Sequence, residues 1–184
     1  MWRFKLSLFF VLILPGYSCE NQVKSVEELR DQFKNHELNL IVFFIEDCPV
    51  CFNVAPKIQQ LIEQNPEINT YWVYSTPLPD SEKLTRFLDD YHIQESVYFD
   101  TDLGIAKFFG ATVTPEVFLI DRHGHIVYRG LVDDYFFEFG KHKNEAQRNF
   151  LEDAVEAFKN SKIIANSKTE PVGCLIEYTG KNEL

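Results

Sequence analysis

At 184 residues, 45% of them hydrophobic, the chain is long enough for one domain with a real core, and its four cysteines are too few for a disulfide-stapled mini-protein. A net charge of −10 argues against a nucleic-acid partner, which would require a basic face. With so few cysteines, any close pair invites a chemical reading before a structural one.

The first eighteen residues read as a secretory signal: Arg3 and Lys5 precede an apolar stretch from Leu6 to Leu14, and Gly16, Tyr17 and Ser18 lead to Cys19. These nine residues, apolar but for Ser7, fall short of the roughly 20 that a membrane-spanning helix needs. Cys19 resembles the lipid-attachment cysteine of a bacterial lipoprotein, but Gly16 stands where that motif has Leu, so plain cleavage ahead of Cys19 stays open beside lipid anchoring. Removing 18 of the 184 residues leaves 166, and losing Arg3 and Lys5 from the 18 basic residues takes the net charge from −10 to −12. The expected organisation is a signal over 1–18, one domain over 19–160, and a C-terminal tail over 161–184 packing on that domain.

Ser25-Val-Glu-Glu28 has the spacing of a capping box and opens an amphipathic helix over Val26 to Phe33. Leu38 to Ile45 is a continuous apolar run broken only by Asn39, the mark of a strand buried on both faces. From Cys51 to Glu63, Val54, Ile58, Leu61 and Ile62 recur at helical spacing until Asn65-Pro66. A strand over Asn69 to Ser75, a helix over Ser81 to Tyr91, a short strand over Val97 to Phe99 and a short helix over Leu103 to Phe109 follow. Strands over Glu116 to Ile120 and His125 to Arg129 flank the turn Asp121-Arg-His-Gly124 and form a hairpin, and Asn144 to Lys159 is expected to be the last helix. Strands alternating with helices imply an α/β fold with a central mixed sheet covered on both faces. The tail from Ser161 has no clear period and is expected over the surface.

The chemistry concentrates in "IEDCPVCFNVAP". A strand that ends in Cys-x-x-Cys and runs straight into a helix places Cys48 at the helix N-terminus, where unsatisfied N–H groups and the helix dipole favour thiolate. Pro49 suits the first helical turn. Cys51 lies one turn on along the same face, where it can resolve a mixed disulfide formed at Cys48. A zinc site would need two further ligands at short spacing, and Cys174 and the five histidines are scattered. Metal binding and simple burial are the weaker alternatives.

"FFIEDCPVCFNVAPKI" resembles the active-site segment of the thioredoxin superfamily, and "FFGATVTPEVFLIDRHGHIVYRG" resembles its TlpA-like and AhpC/TSA redoxin branch, over about residues 24 to 160. The resemblance implies a thioredoxin-like fold and a thiol-disulfide oxidoreductase that needs no cofactor beyond the Cys48–Cys51 disulfide, with a protein thiol or disulfide as substrate and an electron-donor or acceptor protein as partner. It also implies that Pro115 follows a cis peptide bond beside the sulfurs, and that the backbone of Thr114 pairs with a substrate strand.

The pattern departs from the family at four places. Asp47, after Glu46, stands where many relatives have Trp, and two carboxylates there are expected to oppose ionisation of Cys48. Val42 and Val54 occupy positions of the usual proton-relay carboxylates, leaving Asp47 or Glu46 as substitutes. Ile45 stands where peroxiredoxins place the Thr that orients peroxide, which weighs against a thiol peroxidase. A metal-carrying module of the same superfamily would use a wider cysteine spacing and a His; His123 and His125 are expected to be solvated turn residues. Cys174, in "EPVGCLIEY", reads either as a small buried hydrophobe or as a third thiol, and similar tails among bacterial redoxins imply that this segment folds back. The aromatic run Tyr135-Phe-Phe-Glu-Phe139 is expected to be core rather than a docking patch.

Overall fold

A computed structural model describes residues 26–178. The signal expected over 1–18, Cys19 and Ser25, expected to cap α1, lie outside the described residues. In chain order the elements are α1 (Val26–Phe33), β1 (Leu38–Phe44), α2 (Pro49–Gln64), β2 (Asn69–Tyr74), α3 (Ser81–Asp90), β3 (Ser96–Phe99), α4 (Gly104–Phe109), β4 (Val113–Thr114), β5 (Glu116–Asp121), β6 (Ile126–Gly130), β7 (Phe136–Glu138), β8 (Lys141–His142), α5 (Phe150–Lys159) and β9 (Cys174–Leu175).

The central sheet has five strands in the order β3-β2-β1-β5-β6; β1, β2 and β3 run parallel, while β5 and β6 are antiparallel. Every residue of β1 is buried, because the strand faces helices on both sides. Leu40, Val42 and Phe44 point into one core with α2, α3 and α5, and Ile41 and Phe43 into a second with α1 and α4. Period-two alternation thus appears as a choice between two apolar layers rather than between core and solvent. Asn39, the single polar residue of the run, donates from Nδ2 to the carbonyls of Phe33 at 3.1 Å and His36 at 3.3 Å, tying the end of α1 to β1. Aromatic packing is dense around the end of β1: the Phe44 ring stacks on Phe87 at 5.2 Å and meets Trp72 edge-on at 5.4 Å.

Two expectations fail. The helix expected from Asn144 begins only at Phe150, because Asp134 accepts the backbone N–H groups of Gln147 at 2.7 Å and Arg148 at 3.1 Å and so fixes those residues in a turn. Within 144–149 only Ala146 is apolar, so no packing opposes this capture. The aromatic run is not core either: Tyr135 and Phe136 are half-buried, while Phe137 and Phe139 are 57% and 62% exposed on the two-stranded β7–β8 hairpin. A short hairpin outside the main sheet has too little cover to bury both its faces.

Glu116 is fully buried at the start of β5, which simple strand patterning does not anticipate. Its Oε1 receives Arg129 Nη2 at 2.6 Å and its Oε2 receives Thr112 N at 2.9 Å; Arg129 also donates to the Gly110 carbonyl at 2.9 Å. This carboxylate therefore fixes the loop that leads into β4. Glu116→Ala is expected to cost on the order of 3 kcal/mol, because a partly buried guanidinium loses its counter-charge. Urea unfolding measures it, and a loss below about 1 kcal/mol would reduce the pair to an ordinary surface bridge.

Candidate active site

β1 delivers the chain to residues 45–48, and α2 begins at Pro49 with Cys48 in the cap position, its backbone extended at φ −88° and ψ 115°. Opposite it, the Thr114–Pro115 peptide bond is cis and brings the Thr114 carbonyl to 3.0 Å from Cys48 Sγ. Cys48 and Cys51 are both buried, at 0% and 1% exposure. A third sulfur completes the group: Cys174 Sγ lies 2.7 Å from Cys48 Sγ, 126 residues away in sequence. Cys174 is partly exposed and, with Ile45, Leu78, Phe139 and Leu175, lines a groove of about 700 Å³.

The three thiols are electrically unequal. Cys48 is lowered from 9.0 to about 5, chiefly because the Cys51 S–H donates to it; burial opposes this, and the Cys174 S–H and the backbone N–H groups of Cys51 and Cys174 add to the lowering. The Thr114 carbonyl favours the protonated form, since it accepts that proton, but it is a single acceptor against four donors. Cys51 is raised well above 9.0, first by burial and then by its bond to Cys48. Cys174 is pushed up to about 12 for the same two reasons. The arrangement therefore holds one thiolate between two thiols, and each thiol is placed to attack or release the sulfur it faces.

The neighbouring carboxylates are directed elsewhere. Asp47 is on the surface with Oδ2 2.7 Å from Lys83 Nζ, and Glu46 is buried beside Tyr74, whose hydroxyl donates to it. The expected opposition to Cys48 ionisation gives way, because the groups that set this thiol are the other two cysteines. His123 and His125 sit exposed in the β5–β6 turn, where Asp121 accepts their backbone N–H groups. Among the described residues no cluster of three or more His, Cys, Asp or Glu side chains gathers as a metal site.

Sequence patterning did not single out Gly173. A Cβ there would lie 2.1 Å from the Thr114 carbonyl oxygen, so only glycine lets the tail approach the cis peptide. The signal was available in the adjacent pair Gly173-Cys174.

The Redoxin family model matches residues 15–141. The chain belongs to the redoxin family. Among curated proteins, none matches this redoxin. Its fold is thioredoxin-like, and several solved structures resemble it. A hypothetical protein of Sinorhizobium meliloti 1021 is similar at a TM-score of 0.70 and 23% identity, over 81% of this chain and 84% of that one. An uncharacterized conserved protein of Geobacillus kaustophilus gives 0.66 and 19%, over 79% of each chain. A protein of Chlorobium tepidum, provisionally named a thiol:disulfide interchange protein DsbE, gives 0.51 and 18%, over 70% of this redoxin and 81% of its own length.

Proposed function

We propose that this redoxin is an exported thiol-disulfide oxidoreductase that acts on protein disulfides through Cys48 and Cys51. The observation that carries the reading is the placement of Cys48 at the N-cap of α2, with Cys51 buried one turn on and the cis Thr114–Pro115 bond opposite, a setting that favours the Cys48 thiolate. Cys48 attacks one sulfur of a target disulfide, forming a mixed disulfide and expelling the other target sulfur as a thiolate. Cys51 then gives up its proton and attacks Cys48 Sγ; the 48–51 bond forms, the mixed disulfide breaks, and the second target sulfur leaves as a thiol. The target gains two electrons and the protein loses two; the reverse sequence oxidises a target. The Val113–Thr114 edge, which β9 occupies in this structure, is suited to pair with the target chain when β9 leaves it. The signal-like segment over 1–18 supports export, to the periplasm in a cell with two membranes, with Cys19 available for lipid attachment.

Titration in glutathione redox buffers tests this reading. One two-electron transition is expected in the wild type and none in Cys48→Ser. A wild-type protein with no titratable couple overturns it.

A further inference from the structure

Residues 167–178 return along the sheet and finish over the cysteine pair. Arg129 N donates to the Ser167 carbonyl and Thr169 N to the Arg129 carbonyl, each at 3.0 Å, so the segment follows the edge of β6. Thr169 Oγ1 accepts from Leu131 N at 2.8 Å and meets the Tyr128 hydroxyl at 2.9 Å. Gly130, at φ +128°, makes room for this, because a Cβ there would lie 2.2 Å from Thr169 Oγ1. β9 then pairs antiparallel with β4, setting Cys174 opposite Thr114 and Leu175 opposite Val113, and Ile176 N donates to the Thr112 carbonyl at 3.0 Å.

The edge suited to a target strand is thus held by the protein's own tail, which presents a cysteine to Cys48 as a target would. Two glycines at close approaches and the 2.7 Å sulfur contact are more than a space-filling residue requires. Cys48 is completely enclosed, whereas Cys174 retains surface on the groove. We propose that Cys174 is a third redox thiol, through which a disulfide passes between the enclosed Cys48 and an external protein thiol. This rests on the reading of Cys48 and Cys51 as a redox couple.

Starting from the 48–51 disulfide, Cys174 loses its proton and attacks Cys48 Sγ. The 48–174 bond forms, the 48–51 bond breaks, and Cys51 leaves as a thiolate that takes up a proton, with no net oxidation. An external thiolate then attacks Cys174 Sγ, forming a mixed disulfide and expelling Cys48 as thiolate. Cys48 is the favoured leaving group of that bond, being the more acidic thiol. A second thiol of the same target attacks the target's sulfur in the mixed disulfide, releasing Cys174 as a thiol and the target as a disulfide. The target loses two electrons and the protein gains two.

Two measurements test this. In Cys51→Ser treated with glutathione disulfide, peptide mapping by mass spectrometry without reduction should find a 48–174 bridge; a stable glutathione adduct on Cys48 beside a free Cys174 overturns the proposal. In Cys174→Ser, the rate at which glutathione reduces the oxidised protein should fall about tenfold or more, as expected for loss of the accessible exchange sulfur. An unchanged or faster rate overturns it, a faster one showing that the tail merely covers Cys48. A Cys174→Ser protein that still titrates as a two-electron couple leaves the 48–51 reading standing whichever way the rate falls. A wild type with no couple removes the foundation of both.

Discussion

Replacing Cys51 by Ala should raise the ionisation midpoint of Cys48 from about 5 toward its ordinary 9.0 and abolish the two-electron couple. The Cys51 S–H is the largest influence lowering Cys48, whereas burial, which opposes ionisation, persists in the variant. Cys51→Ser restores a donor and should bring the midpoint most of the way back down without restoring the couple, which separates the electrostatic from the covalent role. Cys174→Ala removes a lesser influence and should move the midpoint less. Thiolate ultraviolet absorbance against pH reads all four proteins; an unmoved midpoint in Cys51→Ala would show that the thiolate is stabilised by something other than its partner. The same stabilisation sets the potential, because a favoured thiolate favours the reduced state. A midpoint of about 5 lies between thioredoxin, at about 7, and a strong disulfide oxidant, at about 3.5. The reduction potential should accordingly fall between about −270 and about −120 mV.

What the sequence discloses about this fold depends on how local the cause is. β1 and α2 are legible because a run apolar but for Asn39 and a 3.6-residue period each report their own burial. The cysteine pair is legible because its spacing is a local fact, and Cys48 at the start of α2 follows from Pro49. The extent of α5 is not, since residues 144–149 have no intrinsic bar to helix and are held in a turn by Asp134, ten or more positions earlier. The charges at Glu46 and Asp47 are plain in sequence, but their effect depends on direction, and Lys83 on α3 and the Tyr74 hydroxyl on β2 decide that. β9 is two residues long and has no period to detect. Only its pairing with Thr114 brings Cys174 to the site; the local sequence offers no period for that contact, only the adjacent Gly173 and the likeness of this tail to those of other redoxins.

The reduced protein should become more stable as pH rises from about 5 to about 9, by a few kcal/mol in all, and the oxidised protein should lack this rise. Within this window the unfolded chain still carries the Cys48 proton, while the native state has shed it. Raising the pH therefore favours the native state. The contribution is complete above 9.0 and is lost as pH falls through about 5, each unit of depressed pKa being worth about 1.4 kcal/mol before screening by solvent and neighbours. Cys51 and Cys174 act with the opposite sign and later. Both are raised, so above 9.0 the unfolded chain ionises them while the native state keeps their protons, and stability declines again. The reduced protein should then show a stability maximum near pH 9, where the gain from one thiolate is complete and the cost of keeping the other two thiols neutral has only begun. Urea midpoints at a series of pH values, with and without reductant, measure the difference. Parallel curves for the two redox states would mean that Cys48 ionises no more readily in the native state than in the unfolded chain.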